Sequence, residues 1–130
     1  MLDAQFIEQN RHQLLQERQK LLEDMELLRQ TLQSEVDMDL EEADPDIIER
    51  EKSATLLEAM EAKLADVEHA LKIIEAGQYG ICERCGAEIP QERLEVKPEA
   101  TLCIKCQSEV ERMLRRGMNP QRSRWHFPVA

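Results

Sequence analysis

Four cysteines constrain this chain more than anything else in it. Cys82, Cys85, Cys103 and Cys106 form a C-x2-C-x17-C-x2-C pattern, and they are all the cysteines the sequence has. Two pairs, each with its members three positions apart, can present four thiolates to one tetrahedral zinc ion. The loop between them is long enough to fold back and set the second pair beside the first. The pattern therefore predicts one structural Zn2+ held by Cys82, Cys85, Cys103 and Cys106. A redox dithiol or a pair of disulfides is the alternative that the same residues allow. A site closed by four thiolates leaves no position for water, so it points to structure rather than catalysis.

The remaining composition fits a thin, helical molecule. Of 130 residues, 34% are charged and only 3% aromatic, which is poor material for a thick core. The formal net charge of -10 opposes general attraction to phosphate backbones. Direct sequence-specific nucleic-acid binding is not expected. The N-terminal residues lack the basic and then apolar segments of a signal peptide, and no apolar run approaches a membrane span. Thiolate ligands suit a reducing compartment, so the expectation is a cytoplasmic protein with no membrane contact.

Two stretches carry helical periodicity. From about Asp3 to Met38 there is no glycine or proline, and Ile7, Leu14, Leu21 and Leu28 recur every seven residues. Met25 and Leu32 fill the offset positions, while Leu15 and Leu22 broaden the stripe and Arg11 and Arg18 weaken its first half. Further on, Leu57, Met60, Leu64, Val67, Leu71 and Ile74 step by threes and fours, and Gly77 follows as a helix stop. His12 and His69 read as solvent-facing helix residues. Asp44-Pro45 reads as an N-cap with proline at the first helical position. Two arms of similar length with facing seams predict an antiparallel hairpin, helix 3–38 and helix 45–76 joined by a tip at about 39–44. The hairpin occupies 1–76 and predicts a monomer; a parallel coiled-coil dimer would ignore both the proline and the matched arms.

The zinc finger is expected over 77–116. Ile89, Leu94, Val96 and Leu102 would supply its small apolar core, Pro90 and Pro98 would break the loop into extended or irregular pieces, and a third helix would open at the second cysteine pair and run to about Arg115. Residues 117–130 form a basic and aromatic tail. The fold class is thus mainly α: a long coiled-coil hairpin, a small four-cysteine zinc finger and a short C-terminal helix.

Charge is distributed unevenly. Nine carboxylates lie between Glu35 and Glu51, with Arg50 the one base among them. Acids after the turn suit the start of a helix, but acids in the last turns of the preceding one oppose its dipole. That placement is what a tip built to meet cations would show. Beyond Glu111 the sign reverses. There is no phosphate loop, no catalytic Cys–His arrangement and no open metal site, so an enzyme is not expected.

The stretch Tyr79-Gly80-Ile81-Cys82 through Leu102-Cys103-Ile104-Lys105-Cys106, with the hairpin before it, resembles the DksA/TraR family of bacterial zinc-finger regulators. The resemblance covers about Asp3 to Arg116. It implies a transcription regulator that binds RNA polymerase and inserts the hairpin tip into the secondary channel, towards the catalytic magnesium. Asp39, Glu42, Asp44 and Asp46 would then be the tip residues, and Arg84, Arg93, Arg115 and Arg116 would face acidic polymerase surfaces. The family's tip motif is two aspartates three apart with an alanine two further on. Asp44-Pro45 starts it, but Ile47 and Glu49 stand where the second aspartate and the alanine belong. Counting back from Cys82 offers Asp39 and Glu42, with Asp44 at the alanine position. A response to nucleotide alarmones is therefore not implied. A zinc-stabilised coiled-coil adapter for another protein, or a thiol redox sensor, are the other readings.

Overall fold

The two heptad seams pair with each other. A computed structural model describes residues 2–39 and 47–118, and side chains over 2–34 and 51–118. Helix α1 spans Ala4–Asp39 and helix α2 spans Ile47–Glu75. At 1.5 Å per residue the arms are roughly 54 and 44 Å long. Asp3 opens α1, its carboxylate accepting the Gln5 N–H at 2.9 Å and its carbonyl accepting the Ile7 N–H at 3.1 Å. The cap assigned to Asp44-Pro45 lies outside the described residues.

The arms run antiparallel. Arg18 meets Glu68 at 3.6 Å and Arg29 meets Glu61 at 3.3 Å, so partners on α2 fall in number as α1 rises. These pairs are about half exposed and set register more than stability. Burial supplies the stability. Leu14 and Val67 are fully enclosed, with Ala70 beside them and Leu21, Leu71 and Ile74 packed around. Met25 is buried further along. Leu15, expected to widen the stripe, is instead exposed, because a helix in a two-helix hairpin buries one narrow face.

At its base α2 turns a second face inward. Ile73, which lies off the hairpin seam, joins Tyr79, Cys82, Ile89, Leu94, Ala100, Leu102, Cys106 and Val110 in a separate core. Leu2, Phe6 and Ile7 of the first arm close over it. Gly77 ends α2 with φ +73, a left-handed conformation that favours glycine. The Gln78 N–H reaches back to the Ile73 carbonyl at 3.1 Å and the Gly77 N–H to Ile74 at 3.0 Å. The same pair of bonds, Met118 to Met113 at 2.9 Å and Gly117 to Leu114 at 3.1 Å, ends the C-terminal helix.

The finger contains a helix that periodicity did not reveal. Helix α3, Gln91–Val96, follows directly on Pro90, whose carbonyl accepts from Arg93 at 3.1 Å and Leu94 at 3.3 Å. Proline lacks an N–H but costs nothing ahead of a first turn, and Gln-Glu-Arg-Leu-Glu are good helix formers. Being helical over six residues, this piece sends Leu94 into the core and leaves Val96 87% exposed. Val96 is thus no part of the core. Helix α4, Ile104–Arg115, then buries Cys106 and Val110. Among the described residues no helix is long and apolar enough to cross a membrane.

Candidate metal centre

Two turns deliver the four sulfurs. In the first, an antiparallel bridge pairs Ile81 with Glu88, the Cys82 N–H donates to the Ala87 carbonyl at 2.7 Å, and the Gly86 N–H donates to the Cys82 carbonyl at 2.9 Å. This tight loop sets Cys82 inside and Cys85 outside. The second pair sits on a helix start. Cys103 is the N-cap of α4, its sulfur accepting the Cys106 N–H at 3.5 Å.

The four Sγ atoms lie within 4.8 Å of one another, and Cys85 and Cys103 are 3.7 Å apart. A tetrahedron with Zn–S bonds of about 2.3 Å has edges of about 3.8 Å. The cysteines therefore fit zinc. They do not fit a disulfide, which needs sulfurs about 2.05 Å apart; all four are free.

Electrostatics agree with a cation at the centre. Burial raises the Cys82 thiol, but the backbone of Cys103, Cys85 and Arg84 turned towards its sulfur brings it down to about 7. Burial and the crowding of the other three thiols push Cys106 up to about 12. A divalent cation relieves that crowding by drawing every sulfur to the thiolate. The chain carries one structural zinc, and these thiols are the residues suited to hold it.

The basic residues expected around the finger divide into two kinds. Arg84 is paired with Glu109 of α4, which holds the Glu109 carboxyl below its ordinary range. Arg93 donates from Nε to the Leu102 carbonyl at 3.3 Å, tying α3 to the second turn. Arg115 and Arg116, at the end of α4, are exposed. Of the acidic tip residues, Asp39 is the last residue of α1, while Glu42, Asp44 and Asp46 lie outside the described residues. So do residues 119–130 of the tail, Trp125 and Phe127 among them.

Sequence reasoning missed the polar residues that join finger to hairpin. Asn10 is buried on α1 and donates to the Tyr79 hydroxyl at 3.0 Å and the Leu94 carbonyl at 3.1 Å; Tyr79 in turn donates to the Pro98 carbonyl at 2.7 Å. Lys63 of α2 reaches the buried Glu99 at 2.6 Å and Glu17 of α1 at 3.5 Å. His69, expected to face solvent, keeps only 17% of its side chain exposed and bonds Glu83 at 2.6 Å. Nothing in the period of α2 could show this, since the partner comes from the finger.

Comparison with known proteins decides the family. Residues 77–112 match the prokaryotic dksA/traR C4-type zinc finger. Across the whole fold, the structure superposes on that of transcription factor DksA2 from Pseudomonas aeruginosa with a TM-score of 0.68 and 30% identity, covering 87% of this chain and 88% of that one. The chain belongs to the DksA/TraR family. Over a shorter stretch, the RNA polymerase-binding transcription factor DksA of Escherichia coli (strain K12) is 47% identical over 45 residues, 35% of this chain and 30% of that protein. An uncharacterised protein of Aquifex aeolicus (strain VF5) is 37% identical over 116 residues, 85% of this chain and 80% of that protein. The four cysteines of this DksA/TraR chain and their spacing are thus those of a C4-type finger.

Proposed function

We propose that this chain binds RNA polymerase and regulates transcription, its hairpin arms entering the secondary channel with the acidic tip leading. The observation that carries the reading is the likeness to DksA2 across both arms and the finger together, 88% of that chain, rather than in the finger alone. The E. coli relative is named as RNA polymerase-binding, which supports the same partner here. In this reading Asp39, Glu42, Asp44 and Asp46 act at the tip, where carboxylates suit a route to a magnesium-bearing centre. Arg115 and Arg116 meet acidic polymerase surfaces. Arg84 and Arg93, held by Glu109 and Leu102, serve binding through the shape of the finger. Cys82, Cys85, Cys103 and Cys106 are the zinc ligands, and the metal fixes the base of the lever. The protein works as a monomer, without catalysis of its own and without direct contact to DNA sequence.

Purified polymerase and a promoter template test this. Adding the protein is expected to change promoter-complex lifetime, and Asp44→Asn with Asp46→Asn to abolish the change. Binding that survives the double substitution would refute the tip-in-channel arrangement. No binding by the parent would leave the adapter reading in its place.

A further inference from the structure

Glu83 sits between the two ligands of the first turn, and its carboxylate is fully engaged. One oxygen meets His69 Nε2 at 2.6 Å, and the other accepts from the Thr101 hydroxyl at 2.7 Å. Its N–H donates to the Thr101 carbonyl at 3.0 Å. Glu83 is 2% exposed, so this is a buried carboxylate beside the four cysteines. Thr101 stands two residues before Cys103. One side chain therefore joins the first cysteine turn, the approach to the second, and helix α2 of the hairpin.

We propose that His69 is a positioning residue for the zinc site: by holding Glu83 from the hairpin it keeps the two cysteine turns together and sets how slowly the metal leaves. A buried carboxylate deprived of a partner is costly. Without His69 the cheapest relief is for Glu83 to swing towards water. Cys82 precedes it directly and Cys85 lies two residues on, so that movement opens the first turn. Groups bonded directly to a metal ligand commonly alter affinity by about 10–100-fold, and His69 acts one step further out, through Glu83, so the low end of that range applies. The coupling is reciprocal: zinc that orders the turn also tightens the hold of Glu83 on α2. Lys63 and Glu99 join finger and hairpin at a different place and touch neither cysteine turn, which makes them the control.

The test is zinc release from the full-length, zinc-loaded protein into excess chromogenic chelator. His69→Leu is expected to speed release about tenfold. His69→Gln, whose amide can still donate to the carboxylate, is expected to stay close to the parent. Thr101→Val, which frees the other oxygen and leaves α2 untouched, is expected to speed release as well. Lys63→Met should lower the melting temperature yet leave release unchanged. Cobalt(II) loading adds a spectroscopic signature, since a loosened turn shifts the ligand-field bands. Release at the parent rate from His69→Leu overturns the inference, and so does equal acceleration by Lys63→Met. Should His69→Leu fail to fold, His69→Phe, which keeps a ring but cannot bond Glu83, decides: faster release sustains the inference and parent-rate release overturns it. A parent with no bound zinc overturns the site and the inference together, a result that metal analysis separates from the others.

Discussion

Replacing Asn10 by alanine tests how the hairpin is fastened to the finger. The amide makes two buried bonds, to the Tyr79 hydroxyl and to the Leu94 carbonyl. Truncation leaves the Leu94 carbonyl without that donor, at about 1–3 kcal/mol, and forfeits the tyrosine bond, at about 0.5–1.5 kcal/mol. Alanine returns roughly 0.5 kcal/mol, being the better helix former. The expected loss is therefore about 1–4 kcal/mol. Urea unfolding followed by circular dichroism measures it, with free zinc held constant because bound metal adds to apparent stability. With a slope of about 1–3 kcal/mol per molar urea, the midpoint should fall by on the order of 1 M. Tyr79→Phe in a double-mutant cycle should recover a coupling of about 1 kcal/mol between the two side chains. A loss below about 0.5 kcal/mol, the range of ordinary surface changes, would refute the claim that this amide is a fastening.

Three further outcomes follow from the same packing. Burial raises the Tyr79 hydroxyl above its ordinary value of 10.0, with the Asn10 bond opposing and Glu99 assisting. The folded state thus holds that proton more tightly. Its contribution is complete below the ordinary value and is lost as pH rises through the folded one, so Tyr79→Phe should flatten the alkaline limb of a stability–pH curve. Gly80→Ala should cost about 1–2 kcal/mol in thermal unfolding, from the left-handed backbone alone; φ is +88, and a Cβ there would also stand 2.5 Å from Leu2 Cδ1. Val96→Lys, at a position 87% exposed, should change the urea midpoint by no more than about 0.5 kcal/mol equivalent. A loss of core magnitude there would contradict the orientation of α3.

Local pattern predicted what local physics controls. The cysteine spacing placed four sulfurs at tetrahedral separations, and Gly77 and Gly117 stop α2 and α4 through the same pair of bonds. Leu14, Met25 and Val67 are buried where the seams put them. Periodicity names the face that turns inward but not what lies opposite. Asn10 therefore read as an ordinary polar residue, although its partners lie 69 and 84 residues away. His69 and Ile73 failed to declare themselves for the same reason: the finger, not the other arm, covers that side of α2. Val96 misled in the opposite sense, because an apolar residue in a six-residue helix need not face the core.

Those long separations bear on how the molecule assembles during synthesis. Arg29 and Glu61, which meet across the arms, are 32 residues apart, whereas Asn10 waits for Leu94, 84 residues later. At ribosomal speeds of about 5–20 residues per second, that wait is on the order of 4–17 s. The remoter stretches of the arms can zip together while the base of the hairpin still gapes, with Asn10 unpaired. Closure then proceeds towards the base and cannot finish until the finger, with its cysteine turns, has been made.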